Sequence, residues 1–546
     1  MPTGASFRSP ELVLLNGRIY RTVDGPITEA LAVHGGTIVA TGQTAELRQL
    51  DGPRTTVIDL AGRTVLPSFV DSHTHFHRAA ILRQLFLDFE TLGPTSVADV
   101  VARVAERAAD LPPGTWIQGD SLTAARLAEG RLPDRRELDA AAPLHPVVLR
   151  GIGKHVVATN SAALAAAGID RETLDPAGGR IERDRDGEPT GILHERAKLR
   201  LDTSDPRTVV PRLSEADRRR ALRAGFGDLH RLGISTIHEM VRLPEEADDF
   251  AALRAEGELT VRTRLFYRIH ESPIALDHLA TLGIRRGLGD DWLRILGVKI
   301  SIDGWCIFRN AAVYEPYLHD AGNTGLLRIE PDDLTRLTAA ANRQGLGIAL
   351  HAVGARAVDA ALDALEAAGA ASAGPYRLEH GHLDLGNRQL RRMRELGLVW
   401  SVQPGFLGAY RRDWESALDP DRVQRILPLR RAETLGIPII HNSDVPSGPQ
   451  APLDAIRSAV TRVADGRTIG AGEGVSIRSA WRGWTTLPSS ASGESRVGPL
   501  DVGRAADLVV FNGDPLECSI EDLAALAVVA TMIDGRFVHG ADGVAR

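Results

Sequence analysis

The chain has 546 residues, more than one compact core usually holds, so at least two structural units are expected. Hydrophobic residues make up 43% and charged residues 25%, the composition of a globular protein rather than of a disordered or fibrous one. A net charge of −7 without a basic block argues against nucleic acid or an anionic membrane as main partner, and two cysteines exclude a disulfide scaffold or cysteine-rich zinc site.

The first residues, Met1-Pro2-Thr3-Gly4, lack the basic region and long apolar run of a signal sequence, and the run Leu12–Leu15 is too short for one. No stretch approaches the roughly 18 apolar residues of a membrane span. We therefore expect a cytoplasmic protein that acts on a small-molecule substrate, without nucleic acid or a membrane as partner. The sequence does not decide whether the protein forms a homodimer.

Both ends of the chain alternate short β-rich runs with turn residues. Asn-Gly, Gly-Gly and Asp-Gly pairs between apolar runs predict hairpins. We predict one small β-sandwich domain, with residues 1–63 as its N-terminal part and residues 491–546 as its C-terminal part. The turns are Asn16-Gly17, Gly35-Gly36, Asn512-Gly513 and Asp534-Gly535.

Residues 64–490 alternate short apolar strands with amphipathic helices, the rhythm of a parallel sheet or barrel. Helices are predicted over residues 355–368 and from Pro331 onward. Eight strands without a glycine-rich phosphate turn after the first favour an α/β fold with a closed (β/α)8 TIM barrel over an open doubly wound sheet. The predicted strands are Thr64–Val70, Ser235–Met240, Val261–Arg268, Leu293–Ile302, Gly347–His351, Tyr376–His380, Val399–Gln403 and Pro438–Asn442.

A long insertion separates the first two predicted strands by about 165 residues, far more than an ordinary connection between a strand and a helix. It covers about residues 84–215 and has predicted helices over 96–109 and, at its end, 214–232. Extra strands are predicted near Trp116 and over 146–150. Because a connection that follows a barrel strand emerges at the face where active sites lie, we expect the insertion to form a cap.

The histidines His73 and His75 directly follow the first predicted barrel strand. Residues two apart on a strand face the same way, so both side chains can reach one metal ion. His77 extends the pattern but lies farther from the strand. The chain has 17 histidines, so such a pair arises too easily by chance to be decisive alone.

Other metal-binding residue types occur at the ends of further predicted strands. His351, His380 and Asp444 close or follow strands five, six and eight, and Lys299 lies inside the apolar strand four. An unpaired ammonium there would be costly. Because these four residues are expected at the same end of their strands, the pattern indicates a metal centre there. Lys299 itself is either modified, or unmodified and paired with Asp303 or extended towards solvent.

These motifs resemble those of the amidohydrolase superfamily, and within it the amidohydrolase family 3 branch that includes N-substituted formamide deformylases. The resemblance spans nearly the whole chain and rests on several segments together. They are Asn16–Tyr20, Thr64–His75, Lys299–Gly304, Asn323–Leu326, His351–Ala357, Ser443–Pro446 and Gly503–Leu508.

The resemblance implies that His73, His75 and Asp444 bind a first metal ion and that His351 and His380 bind a second, with Lys299 at the position of a bridging carboxylated lysine. It implies hydrolysis of a non-peptide amide, formamide or carbamate-like C–N bond by a metal-activated water, with Asp444 as the general base. One or two divalent ions are expected. We expect Zn²⁺ from the ligand types, although Mn, Fe or Co would also fit.

Five residues are further candidates for substrate binding: His155, Asn160, Glu195, His238 and Trp305. His155 and Asn160 match a stretch of the family, His155–Leu164, and Trp305 follows the strand of Lys299. A structural role is about as well supported for each of them.

Rival functions are a deaminase or a metal-dependent decarboxylase on the same barrel, and a non-catalytic scaffold. The segment that starts at His351 lacks the glutamate that nucleobase deaminases of the superfamily carry three residues after this histidine. A scaffold has no physical need for four metal-binding histidines and a buried lysine. Hydrolysis is therefore the leading interpretation.

Overall fold

Eight parallel strands form the largest sheet of the structure, a computed structural model that describes residues 9–151, 155–203, 205, 207–270, 274–369 and 376–544. Each strand pairs with its neighbours in chain order, which confirms the predicted TIM barrel. We number them barrel strands one to eight: Phe69–Thr74, Ile234–Val241, Arg262–Arg268, Leu293–Ser301, Gly347–Gly354, Tyr376–Leu383, Val399–Val402 and Ile439–His441.

Individual hydrogen bonds join barrel strands one and eight, the two edges of this sheet. The Asp444 N–H donates to the carbonyl oxygen of His73 at 3.0 Å, and the His75 N–H donates to that of Val445 at 2.8 Å. The Ser72 hydroxyl donates to the carbonyl oxygen of His441 at 2.9 Å. These bonds bring the segment after strand eight beside the end of strand one.

Helices follow the barrel strands, and their sequences explain why they form. Helix Ala355–Ala367 buries an apolar stripe that includes Val358, Leu362 and Leu365. Helix Pro331–Arg343 has proline and two aspartates in its first turn, which favour a helix start. Both helices were predicted. The other helices of the barrel region are Glu215–Arg231, Pro244–Ala255, Leu276–Thr281, Asn387–Glu395, Phe406–Ala417, Pro420–Gln424, Leu429–Thr434, Pro452–Thr461, Ile477–Trp484 and Thr486–Ala491.

Strands from both ends of the chain share one sheet, because Leu508–Phe511 pairs antiparallel with Thr64–Pro67. Side chains of this sheet and of a second one form a common apolar core, among them Leu14, Val65 and Val510. In spatial order the six-stranded sheet contains Arg536–His539, Val528–Ile533, Leu508–Phe511, Thr64–Pro67, Arg18–Tyr20 and Ile27–Thr28. The four-stranded sheet contains Thr37–Gly42, Ala30–His34, Leu12–Leu15 and Thr56–Asp59.

The predicted first barrel strand, residues 64–70, is in fact two strands. Thr64–Pro67 belongs to the six-stranded sheet, and Phe69–Thr74 belongs to the barrel. The N–H of Ser68, between them, donates to Asp507 in the C-terminal segment. Residues 64–70 are buried and mostly apolar across both strands, so hydrophobicity alone does not reveal where the chain passes from one sheet to the other.

The turn Asn16-Gly17 was predicted as a hairpin and is not one. It leads from a strand of the four-stranded sheet to Arg18–Tyr20 in the six-stranded sheet. The predicted hairpins at Gly35-Gly36 and Asp534-Gly535 are confirmed. All four of their turn residues have positive φ, as a type I′ turn requires.

Residues His77–Gly225 form a second compact unit, and the first unit comprises Met1–Phe76 and Phe226–Arg546. The predicted helix here is confirmed: Val97–Ala109 begins at Ser96, whose side chain accepts the N–H of Asp99 in a capping box. The sheet of this unit contains, in spatial order, Gly179–Arg183, Pro189–Glu195, Val156–Thr159, Val147–Gly151, Ile117–Leu122 and Leu87–Asp88. Its helices include Phe89–Leu92, Val97–Ala109, Arg135–Ala141 and Ser161–Ala167, and helix Phe76–Leu85 leads into it.

Residues 1–8 of the predicted sandwich, with the start that was searched for a signal sequence, lie outside the described residues. So do residues 545 and 546 of the sandwich and residues 152–154, 204 and 206 of the insertion. Throughout the described ranges, every helix is too short or too polar to cross a membrane.

Two buried arginines of barrel strand three bind carboxylates of the C-terminal segment. Arg262, fully buried, lies 2.7 Å from Asp507 and 2.9 Å from Asp534. Arg264 lies 2.5 Å from Glu494. Buried charges are tolerated only when they are paired, so these contacts fix the start of strand three against the C-terminal strands.

We expect Asp507→Asn to lower the free energy of unfolding by about 3 kcal/mol, because Arg262 then keeps its buried charge with less compensation. The measurement is the urea dependence of the circular dichroism signal. Glu106→Gln is the control, since Glu106 pairs with Arg103 at an exposed site. It should change stability by less than about 0.5 kcal/mol. Equal effects of the two substitutions would contradict the assigned role of Asp507.

Candidate metal centre

The ends of barrel strands one and eight bring three metal-binding side chains together. Nε2 of His73 and Nε2 of His75 each lie 3.5 Å from Oδ1 of Asp444. This oxygen is buried and has no hydrogen-bond partner among the described residues. A buried carboxylate oxygen beside two imidazole nitrogens suits a divalent metal ion, which binds both ligand types.

Hydrogen bonds on both sides hold Asp444 in place. Its own N–H binds the carbonyl oxygen of His73, and the carboxylate of Asp71 accepts the N–H and the hydroxyl of Ser443 at 3.0 and 2.6 Å. Asp444 has φ 52°, a conformation that costs energy for a residue other than glycine. These hydrogen bonds between barrel strand one and the segment that follows strand eight stabilise the unfavourable backbone conformation of Asp444. In this conformation its carboxylate faces the two histidines.

Lys299 belongs to the same cluster, with its Nζ 3.0 Å from Nε2 of His73. Burial lowers its pKa, although Glu379 and Asp444 oppose that shift. Asp303, the ion-pair partner considered from the sequence, has another role. Its carboxylate accepts the backbone N–H groups of Ala312, Val353 and Gly354, each at 2.9 Å.

His351 and His380 lie next to one another, with ring centroids 4.5 Å apart, and His380 lies 5.2 Å from His73. Nε2 of His351 is 3.2 Å from the carbonyl oxygen of Gly304. All six predicted metal ligands thus lie in one region of the barrel. Within the described ranges, convergent groups of three ligand atoms from His, Cys, Asp or Glu are limited to His73, His75 and Asp444.

Three histidines of the cluster are held neutral. Burial lowers the pKa of His73, His351 and His380 well below the ordinary value, and the charge of Lys299 lowers it further. A neutral imidazole has a lone pair to offer, which is the form that binds metals. Burial also raises the pKa of Asp444, against the opposing effect of Lys299.

Sequence reasoning missed two buried charged residues of barrel strand six. Oε2 of Glu379 is 2.6 Å from Nδ1 of His73, and Oε1 of Glu379 is 2.8 Å from Nε of Arg377. Arg377 also donates to Nδ1 of His238 at 2.9 Å and to the hydroxyl of Ser401 at 3.1 Å. Their spacing of two residues in a predicted barrel strand was the available signal, because it places both on one face.

His380 shows why strand alternation alone fails here. It follows Glu379 directly, yet both side chains approach His73. His380 has φ 72°, and the pairing between barrel strands five and six is irregular after Ala352 and His380. This bulge rotates His380 towards the side that Glu379 already faces.

The predicted substrate contacts have mixed outcomes. The prediction that Asn160 contacts the substrate is corrected to a structural role. Its buried amide caps helix Ser161–Ala167, accepts the N–H of Val147 and donates to the carbonyl oxygen of His145. These bonds hold the second unit together. In the same unit, exposed His155 and Glu195 lie 2.9 Å apart.

His238 and Trp305 belong to the barrel. His238 is buried and accepts from Arg377, so it is a structural partner rather than a substrate contact. Trp305 is partly exposed and its ring lies 5.7 Å from that of His380. Of the two, only Trp305 remains a candidate for substrate contact.

The TIM barrel gathers imidazole and carboxylate groups that could hold a divalent metal ion at the carboxyl ends of its strands, the arrangement of a class of barrel enzymes. The sequence model of the amidohydrolase family matches residues 56–539, and the chain belongs to this family. It is a hydrolase that acts on C–N bonds.

Known relatives cover nearly the full chain. The N-substituted formamide deformylase of Arthrobacter pascens is 30% identical over 545 residues, 96% of this chain and 97% of that protein. The crystal structure of an uncharacterized metal-dependent hydrolase from Pyrococcus horikoshii OT3 is 25% identical with a TM-score of 0.76, over 93% of this chain and 99% of that chain. A similar hydrolase from Pyrococcus furiosus is 26% identical with a TM-score of 0.75, over 93% of this chain and 100% of that chain.

Proposed function

We propose that this protein hydrolyses a non-peptide amide, formamide or carbamate-like C–N bond in a small molecule, with Asp444 as the general base. The observation that carries the proposal is the approach of Nε2 of His73 and Nε2 of His75 to a carboxylate oxygen that has no hydrogen-bond partner in the described part of the chain. The similarity to a formamide deformylase supports a formamide as the first substrate to test.

His73, His75 and Asp444 would hold one divalent ion, and His351 and His380 would hold a second with Lys299 between them. We choose Zn²⁺ because two imidazoles and a carboxylate are a common ligand set of catalytic zinc. A divalent ion bound there lowers the pKa of water and polarises the scissile carbonyl. The chain itself supplies the proton transfers: Asp444 takes a proton from the attacking water and returns it to the leaving nitrogen.

Lys299 is proposed to be carboxylated. Burial favours its neutral amine, whose lone pair can form a bond to the carbon of CO₂ with release of one proton. The product offers an anionic oxygen to a metal ion. An ammonium group at the same place, with Nζ 3.0 Å from Nε2 of His73, would instead repel the ion. We further propose that the enzyme acts in the cytoplasm, with no nucleic acid or membrane partner, as a monomer or homodimer.

The products of the reaction test the proposed chemistry. With the Zn²⁺-loaded enzyme and an N-alkylformamide, we expect formate and the amine in equal amounts. Ion chromatography for the acid and derivatisation for the amine give both yields. Across a panel of small amides and amines, release of ammonia alone would indicate a deaminase, and release of CO₂ from carboxylated compounds would indicate a decarboxylase. No turnover of any compound by metal-loaded enzyme would favour a scaffold.

Asp444→Asn should lower kcat by about 10²–10⁴-fold, because the amide can still offer an oxygen to the metal but cannot accept a proton. Elemental analysis should find most of the metal retained. The control is Asp363→Asn, a change on the exposed side of helix Ala355–Ala367 that should leave both values unaltered. Near-full activity of Asp444→Asn would refute the assigned base.

Lys299→Met should reduce the metal content from two ions per chain towards one, because residue 299 would no longer offer an anionic oxygen to either ion. Elemental analysis gives the stoichiometry, and the intact mass of the wild type, measured under conditions that keep the carbamate, should include one added CO₂. Lys198→Met is the matched control, since Lys198 pairs with Asp202 in the second unit. An unchanged stoichiometry in Lys299→Met would refute the bridge.

A further inference from the structure

We infer that Glu379 and Gln403 are positioning residues that fix the tautomers of His73 and His380, so that Nε2 of each imidazole carries the lone pair a metal ligand needs. This inference rests on the metal centre of the proposed function. In a neutral imidazole one nitrogen carries the proton and the other the lone pair. The group that binds Nδ1 therefore decides what Nε2 can do.

At His380 the assignment follows from one backbone carbonyl. The oxygen of Val402 can only accept, so the group 3.2 Å from it is the NH₂ of Asn442. The amide oxygen of Asn442 then accepts from the NH₂ of Gln403 at 2.8 Å. Gln403 thus turns its oxygen to Nδ1 of His380, 3.0 Å away. Nδ1 carries the proton, and Nε2 of His380 has the lone pair.

At His73 the assignment follows from charge. Glu379 is fully buried, and its Oε1 lies 2.8 Å from Nε of Arg377, a cation that can only donate. The carboxylate can only accept, so Nδ1 of His73, 2.6 Å away, donates to it. Nε2 of His73 keeps its lone pair, and this is the atom that lies 3.5 Å from Oδ1 of Asp444.

Both arms belong to one network. The hydroxyl oxygen of Ser401 accepts from Arg377 at 3.1 Å and from Asn442 at 3.0 Å, and Ser401 is also hydrogen-bonded to Glu379. Arg377 can only donate, and its Nε lies 2.8 Å from Glu379. The guanidinium thus sets which atoms accept on the path to His73, and it shares the acceptor Ser401 with the path to His380.

Glu379→Gln gives a sharp test, because an amide has one oxygen and one NH₂ group. Arg377 offers only donors, so the amide oxygen must face Arg377 and the NH₂ must face His73. Nδ1 of His73 would then accept, and its proton would move to Nε2. The near-isosteric substitution is expected to invert the tautomer of His73 and to block Nε2 as a metal ligand.

The experiment uses the full-length chain labelled with ¹⁵N-histidine and freed of metal by a chelator. The ¹⁵N chemical shifts distinguish protonated from unprotonated ring nitrogens. In the wild type we expect Nδ1–H for His73, and in Glu379→Gln we expect Nε2–H. Titration with Zn²⁺ against a competing chelator should show affinity reduced by about 10–100-fold in the variant, as for other lost partners of ligating histidines.

Glu494→Gln is the matched control, because it neutralises another buried glutamate, which pairs with Arg264 of barrel strand three. It should reduce stability without changing any tautomer of the cluster or the Zn²⁺ affinity. If Glu379→Gln does not fold, the pair Gln403→Leu and Gln403→Glu gives the same test at His380. The leucine variant removes the acceptor for Nδ1, so both neutral tautomers of His380 should be populated. The glutamate variant keeps an acceptor and should keep the proton on Nδ1.

An unchanged Nδ1–H at His73 in folded Glu379→Gln, or a retained tautomer of His380 in Gln403→Leu, would overturn the inference. Either result leaves the proposed function intact. Failure of the wild type to bind Zn²⁺ would instead refute the proposed metal centre, and the tautomers measured in the metal-free chain would still decide the role of Glu379.

Discussion

The guanidinium of Arg377 is the interaction on which the interior of the barrel depends. It contacts barrel strands one, two and seven through the carbonyl oxygen of Ser72, Nδ1 of His238 and the hydroxyl of Ser401, and it pairs with Glu379 on its own strand. A buried cation must have acceptors on every side, so one side chain forces four strands to turn polar groups inwards. The candidate metal-binding cluster adjoins this polar interior.

The second constraint is the joint between the first and last barrel strands. His73 and His75 lie on one side of it and Asp444 on the other, and backbone hydrogen bonds across the joint set their spacing. The unfavourable φ of Asp444 is sustained there because Asp71 and His73 hold the segment. The hydrogen bonds that join the first and last barrel strands therefore also bring the three side chains of the site together.

Burial gives the cluster its chemical character. It keeps the imidazoles of His73, His351 and His380 neutral and makes the lysine amine easier to deprotonate, and one buried oxygen of Asp444 has no hydrogen bond from any described residue. An unpaired carboxylate oxygen is unfavourable in an apolar interior, and a divalent ion held by it and by the neutral imidazoles would relieve that cost. This accounts for a C–N hydrolase of the amidohydrolase family carrying so many polar groups where a barrel core is normally packed with aliphatic side chains.

The sequence by itself determined the eight strands, the hairpins at Gly35-Gly36 and Asp534-Gly535, and the family, because these follow from short-range periodicity, turn residues and motifs. It also named the side chains of the cluster. Only the tertiary structure decided that Thr64–Pro67 leaves the barrel, that Asn160 caps a helix, and that Glu379 and Gln403 bind His73 and His380. Such roles depend on partners from other strands, and in a buried network the available acceptor, not the residue type, decides what a side chain does.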